Sequence, residues 1–501
     1  MLDKITLKNF KGFKNLENLK IKPITILCGT NSCGKTSILQ SILLLKQTLE
    51  SKNPNQTILL NGRFVKMGYF KDLIFKKETS KEVTFDLCFN ISPEIYKTGS
   101  GKRPPFGFYL RDLIGKEFKY AKQAEYLIDY SISLKTNPDD RTKESEYLKS
   151  LKITSVCIKI IERSNNSENI VSEIKIKNKK GDSYYVCWNS GNKQSALNKV
   201  ELEIKFANLF PVMIKYPDTA SLENKSKITR LGNIDFTLFR MAALFRMIFS
   251  SYTYLGPLRG EPEREYIYRD EIVEIGNKGE NAAFLFLSEK DKSVDNHYFY
   301  DNLSDSFTKT EKMSLKDAVN RWFELMKIRN FDASISNKII YLNMAAGFYD
   351  NTEVGIADVG FGVSQIFPII LEGFRMDKGN TLLLEQPEIH LHPNLQMQLS
   401  DYFISLALSG KNIIAETHSD HLINRLVRRI VEDEDNNLKD LIGIYFIKPS
   451  EDGAIFEEVE IDETRGIVNW PKEFFDQTAN EQMKIMQAGI KKRKNNKKME
   501  N

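Results

Sequence analysis

Residues 29–37, GTNSCGKTS, stand between the apolar run PITILCG and a helical pattern, and this juxtaposition constrains the fold more than any other feature of the chain. The stretch fits G-x-x-x-x-G-K-[ST] at Gly29, Gly34, Lys35 and Thr36, in the strand, loop, helix context the motif requires. Phosphate chemistry explains the residue types. Glycines let backbone N–H groups wrap an anion at a helix start, the lysine reaches the β and γ oxygens, and the threonine hydroxyl serves Mg2+. The following helix carries Ile38, Leu39, Ile42, Leu43, Leu45 and Leu49, a spacing that predicts one continuous apolar face. Upstream, a strand over Ile5–Phe10 and a turn near Gly12 are expected.

A phosphate loop implies a second, acidic strand downstream, and TLLLEQPEIH (381–390) is the candidate. Leu382 to Leu384 read as central-strand core, with Glu385 at the strand end holding Mg2+ directly or through water. Gln386 follows where hydrolysis usually needs another carboxylate. Its amide can orient water but cannot take a proton, so Glu388 is the alternative base. The spacing then predicts a helix from Pro393 to near Gly410, a strand NIIAE (412–416) and a helix begun by Ser419 and Asp420. That helix pairs Leu422/Ile423, Leu426/Val427 and Ile430/Val431, and carries Arg425, Arg428 and Arg429 elsewhere on its surface. Alternating strands and helices predict a parallel sheet. His418 falls at the sheet edge where a γ-phosphate would lie. With His390, His392 and His421 it also admits a zinc or di-metal site, although no cysteine joins them.

From about 52 to 250 the pattern changes to short strands and lysine-rich connections, including a hairpin predicted to turn at Gly181 and Asp182. Residues 100–107 and 134–146 are breaker-rich and read as loops. Arg259 and Arg264, in YLGPLRGEPERE, read either as surface arginines or as phosphate sensors across a dimer. A net charge of +5, from 72 basic and 67 acidic residues, does not by itself argue for nucleic acid. The basic run KKRKNNKK (491–498) reads as a solvated end or a nucleic-acid arm. Five scattered cysteines suit a reducing compartment, and no window approaches a membrane span, so a cytoplasmic protein without membrane contact is expected.

GTNSCGKTS, DVGFGVSQ, LLLEQPEIHLHP and IIAETHSDHL, in that order, resemble the ATP-binding-cassette head of SMC, RecF-like and OLD-like ATPases. Within that group the chain is most similar to predicted bacterial AAA-family ATPases encoded beside effectors in phage-defence islands. GIVNWPKEFFDQ (466–477) resembles a C-terminal module of some of these. The resemblance implies an α/β head with a mixed or parallel sheet flanked by helices, interrupted by a large α+β lobe. The expected domains are 1–51 (first part of the head), 52–350 (inserted α+β lobe, partly continuing the head sheet), 351–447 (second part of the head) and 448–501 (small C-terminal module with a basic tail). It also implies that Gly29, Asn31, Gly34, Lys35, Thr36 and Ser37 bind ATP and that Thr36 and Glu385 hold Mg2+. His418 becomes the γ-phosphate switch, and Glu385, Gln386 and Glu388 complete the catalytic set. Gly360, Gly362, Ser364 and Gln365 resemble the signature segment that closes over ATP on a second subunit, which implies a homodimer and allows a higher oligomer. The signature departs from the usual serine-glycine-glycine, and Asp72 is the candidate for the glutamine-loop position. The expected role is a regulator of a separately encoded nuclease or toxin in anti-phage defence, or alternatively a DNA-clamping ATPase of repair or maintenance.

Overall fold

A computed structural model describes residues 1–31, 33–53, 56–91, 125–136, 151–164, 167–190, 197–215, 225–269, 271, 274–301, 303–346, 352–435, 437–471, 481–490 and 492. Among these, two large sheets organise the chain. The first is an antiparallel sheet ordered β10-β9-β8-β7-β6-β5-β4-β1-β2. It is built from β1 (Leu2–Phe10), β2 (Phe13–Lys20), β4 (Val83–Ile91), β5 (Glu125–Thr136), β6 (Leu151–Ser164), β7 (Ser167–Lys180), β8 (Ser183–Ser190), β9 (Leu197–Ala207) and β10 (Phe210–Lys215). Strict alternation in VTFDLCFNI buries Val83, Phe85, Leu87, Phe89 and Ile91 on one face of β4. Helix α2 (Lys225–Ser250) covers that face, with the Phe245 ring 5.4 Å from Phe89 and 4.6 Å from Tyr130.

The β7–β8 hairpin turns at Gly181 and Asp182 as predicted, Lys180 pairing with Ser183 and Gly181 taking φ 51°. Residues 100–107 lie outside the described residues. So do 137–146, while Leu134 to Thr136 close β5 and are not loop. Strand β2 was not expected. Its buried residues, Phe13, Leu16 and Leu19, fall every third position, which is not strand periodicity. A register shift against β1 between Ile5 and Leu7, with Asn18 at φ 54°, brings Leu19 onto the core face with Leu16.

The second sheet runs β11-β20-β21-β3-β22-β23. Its members are β3 (Ile24–Gly29), β11 (Tyr252–Leu255), β20 (Thr381–Glu385), β21 (Asn412–Glu416), β22 (Ile442–Ser450) and β23 (Gly453–Glu458); the short strands β12 (Tyr266–Ile267) to β19 (Glu353–Gly355) lie between β11 and β20 in the chain. All neighbours are parallel except β22 and β23. Residues 52–350 thus supply strands to both sheets. Apolar runs suit strands buried on both faces. Leu27, Leu383 and Ile414 join the core shared with the antiparallel sheet. Leu382, Leu384, Ile413 and Ala415 join the opposite core, with α3 (Leu315–Leu325), α4 (Phe361–Arg375), α5 (Pro393–Leu408) and α6 (Asp420–Glu432). The α/β class with a mixed sheet between helices is therefore the one expected.

Helix α1 (Lys35–Leu49) lies between the two sheets and is buried nearly all round, Lys46, Gln47 and Thr48 included. This corrects the one-faced amphipathic helix expected from its spacing. Two layers cover it instead of one, so its polar residues find internal partners. Lys46 donates to Glu50 (2.6 Å) and to the Phe249 carbonyl (2.9 Å), and the Gln47 amide to the Leu59 carbonyl (2.6 Å). Among the described residues no helix is long and apolar enough to cross a membrane.

Candidate nucleotide site

β3 delivers the phosphate loop to the N-terminus of α1. Gly29 takes φ 140°, and a Cβ there would collide with the Ile447 carbonyl on β22. Gly34, at φ 105°, is the N-cap; no side chain caps the helix, and its first turn carries no acidic residue. Its first N–H groups therefore keep their affinity for an anion. Lys35 folds back over the loop, donating to the Gly29 carbonyl (3.1 Å) and the Thr30 carbonyl (2.7 Å). Asn31 is exposed and Ser37 is buried, its N–H bonded to the Gly34 carbonyl at 3.0 Å.

β20 and β21 end on Glu385 and Glu416, partners in register on adjacent parallel strands. Side chains alternate across a strand, so both carboxylates share the α1 face with Leu383 and Ile414. Thr36 donates its hydroxyl to Glu416 Oε1 at 3.0 Å, and Tyr254 of β11 donates to Glu385 Oε1 at 2.9 Å. Burial pushes the Glu385 carboxyl up to about 7, with Glu416 adding to the push and the Tyr254 bond opposing it. Burial also raises Glu416, against the Thr36 bond and the Lys35 charge. Glu416 was absent from the sequence reading. A signal was available, because NIIAE repeats the pattern of TLLLE, an apolar run ending on glutamate.

Glu388 is 8% exposed and accepts the backbone N–H of His418 at 2.7 Å, which ties the loop after β20 to the loop after β21. Burial raises its carboxyl above the usual range. His418 is half-buried, and burial together with the Lys35 charge lowers its pKa, keeping the imidazole neutral at neutral pH. Gln386 occupies the left-handed region at φ 44°. Such strain persists only where the surroundings hold it. Here its N–H is bonded to the Glu416 carbonyl (2.8 Å), while Arg259 donates to the Gln386 and Pro387 carbonyls at 3.3 and 3.2 Å.

Arg259 is therefore neither of the things expected. At 4% exposure it is a buried brace of the loop, and burial lowers its pKa to about 10. Arg264 is exposed and pairs with Asp358 at 2.6 Å, ahead of the signature segment. In that segment Gly360 caps α4, and Gly362 lies against the loop so closely that a Cβ would sit 3.2 Å from the His390 carbonyl. Ser364 and Gln365 are buried, the hydroxyl on the Phe361 carbonyl (2.8 Å) and the amide on the Gly260 carbonyl (3.3 Å). Gly360 and Phe361 are what the segment exposes in this conformation. Asp72 caps its own turn, accepting from Tyr69 N at 3.1 Å.

The four clustered histidines do not converge. His392 caps α5, accepting from Asn394 N (3.3 Å); His390 meets the Phe361 ring edge-on; His421 lies beside Asp420. Among the described residues no three His, Cys, Asp or Glu side chains are placed to hold a metal ion. The arginines of α6 are likewise engaged. Arg429, 3% exposed, bonds Asp401 (2.8 Å), Asp305 (3.0 Å) and Glu432 (2.7 Å), Arg425 bonds Asp401 (3.0 Å), and Arg428 bonds Glu432 (2.5 Å). Of the basic run 491–498, only Lys492 is described.

An uncapped helix start, a lysine folded over a glycine loop and a hydroxyl beside two carboxylates fit a nucleoside triphosphate with Mg2+. The cation needs only a few protein oxygens, because phosphate and water complete its shell.

Comparison with known proteins agrees. A family model described as AAA ATPase domain matches residues 1–423, and one described as a protein of unknown function (DUF3696) matches residues 439–485. No curated protein matches. Among solved structures, the SMC head domain from Thermotoga maritima is 11% identical with a TM-score of 0.35, over 92% of this chain and 99% of that one. SmcHead bound to the C-winged helix domain of ScpA is also 11% identical, with a TM-score of 0.36 over 92% and 98%. The Smc head with an extended coiled coil, bound to the C-terminal domain of ScpA derived from Pyrococcus furiosus, gives 11% and 0.33 over 92% and 96%. At these scores neither function nor partner is carried over. The family match spans well over half of the sequence: this chain belongs to the AAA ATPase domain family.

Proposed function

We propose that the chain binds ATP with Mg2+, hydrolyses it slowly between paired heads, and regulates a separately encoded nuclease or toxin in anti-phage defence. One observation carries the nucleotide reading: Thr36, at the N-terminus of α1 next to Lys35, bonds Glu416, whose register partner on the adjacent strand is Glu385. Lys35 exchanges its carbonyl acceptors for phosphate oxygens, whose full negative charge attracts the ammonium more strongly than a carbonyl dipole does. Thr36 and Glu385 would hold Mg2+, which would supply neutralising charge to the phosphate oxygens. His418, neutral, donates to the γ-phosphate. Gln386 orients the attacking water, and Glu388, its carboxyl made more basic by burial, accepts the proton. The signature residues Gly360, Gly362, Ser364 and Gln365 close over ATP on a second copy, with the exposed turn at Gly360 making first contact.

The regulatory role rests on the resemblance to ATPases of phage-defence islands. Steady-state hydrolysis with Mg2+, alongside Lys35→Ala and sedimentation with and without ATP, tests the enzymatic part. DNA degradation by the purified chain that survives Lys35→Ala would place the effector in this protein and defeat the regulatory part. The DNA-clamping alternative loses support from α6, whose arginines are engaged in ion pairs.

A further inference from the structure

We propose that Glu416 is the second carboxylate of the cation position, binding the ion together with Thr36 and Glu385. The inference rests on the ATP-binding reading above and deepens it.

The strand order makes the site. β21 is inserted between β20 and β3, so its terminal residue lies between the acidic strand end and the phosphate loop. Glu416 is 4% exposed; Oε1 accepts the Thr36 hydroxyl at 3.0 Å, and Oε2 is buried without a hydrogen-bond partner. A buried ionised carboxylate is costly unless a cation or several donors answer it. Lys35, on the adjoining loop, donates to two backbone carbonyls instead.

A divalent cation satisfies this arrangement in two ways. Hard oxygen ligands are what Mg2+ selects, and two carboxylates offset its charge more fully than one. In addition, a threonine hydroxyl that donates its proton to Glu416 turns its lone pairs toward the ion. Glu416 thus supplies a charge and also orients the neighbouring ligand.

The test uses the full chain and its Glu416→Gln variant, which keeps an oxygen acceptor for Thr36 but removes the charge. Mn2+ binding is followed by electron paramagnetic resonance with a non-hydrolysable ATP analogue, and analogue affinity is measured separately in EDTA. The expected result is Mn2+ affinity at least about tenfold weaker, the scale typical of loss of metal-site groups, with analogue affinity in EDTA no weaker than that of the wild type, because a negative charge beside the phosphates has been removed. Glu416→Asp, which restores the charge on a shorter arm, recovers part of the Mn2+ affinity and covers the case in which Glu416→Gln fails to fold. Wild-type Mn2+ affinity in Glu416→Gln overturns the proposal while leaving the ATP reading intact. A wild-type chain that binds neither analogue nor Mn2+ overturns both.

Discussion

Asp401 and Glu416 are both buried carboxylates on the P-loop half of the molecule, yet their surroundings are opposite. Asp401, on α5, has Arg429 at 2.8 Å and Arg425 at 3.0 Å from α6. Burial works against the Arg429 charge, but its bonds to Asp401 outweigh this and hold its pKa above the ordinary value. Glu416 has a hydroxyl on one oxygen and no hydrogen-bond partner on the other. A carboxylate answered by protein cations fastens helices together. One that no protein cation bonds, at the mouth of a phosphate loop, is suited to a cation from solution.

Replacing Lys35 with alanine gives the largest effect on the second kind of site. Loss of one charge-stabilising donor commonly costs about 10²- to 10³-fold in turnover. Isotherms and turnover measured on folded Lys35→Ala check this, and unchanged kinetics would remove Lys35 from the site. Next, Asp401→Ala strands two guanidiniums and should cost about 3–5 kcal/mol, read from denaturant melts. ATP affinity of the protein that stays folded should not change. The double change Asp401→Leu with Arg429→Met should recover part of the stability, because the more deeply buried of the two pairs is removed whole and only Arg425 is left without its carboxylate. If Asp401→Ala instead weakened Mn2+ binding, the contrast between the two carboxylates would collapse.

Arg259→Met gives a smaller loss. It removes the donor shared by the Gly256, Gln386 and Pro387 carbonyls, at about 1–3 kcal/mol, and frees the left-handed turn at Gln386. Turnover should fall more than ATP affinity, because the turn positions Gln386 and Glu388. The smallest effect sharpens the comparison from the side of a buried base. His297 accepts from Lys411 at 2.8 Å within a buried pair, and burial, then the Lys411 charge, lowers its pKa to about 4 from 6.5. Asp295, whose carbonyl meets the ring, and Lys378 also act on it. The unfolded chain takes up this proton near 6.5 and the native chain only near 4. Its contribution to stability is thus full above 6.5 and is lost as pH falls toward 4. Thermal melts across that window should show the slope, and His297→Gln should flatten it.

Much of the site was legible because its signals are local. The phosphate loop, TLLLE, NIIAE and the cap at Ser419 each lie within a few residues, and the structure has Ser419 Oγ accepting from Leu422 N at 3.0 Å. What escaped depends on partners distant in the chain. The sequence offers Arg259 as a surface or phosphate-sensing arginine and Arg429 as one off the apolar stripe of its helix, because the carbonyl of Gln386 and the carboxylate of Asp401 lie 127 and 28 residues away. Glu416 escaped because an acidic residue ending a strand normally faces water. Only the insertion of β21 between β20 and β3 brings it to Thr36, 380 residues distant. β2 was missed because a bulge replaced its two-residue period with three.

Steady-state ATP turnover by the purified chain with Mg2+, beside Glu388→Gln, tests the central claim most directly. Slow turnover is expected in the wild type, lost by about 10²- to 10⁴-fold in Glu388→Gln while ATP affinity persists. Turnover unaffected by Glu388→Gln would contradict it, showing that Glu388 does not provide the carboxylate that Gln386 lacks.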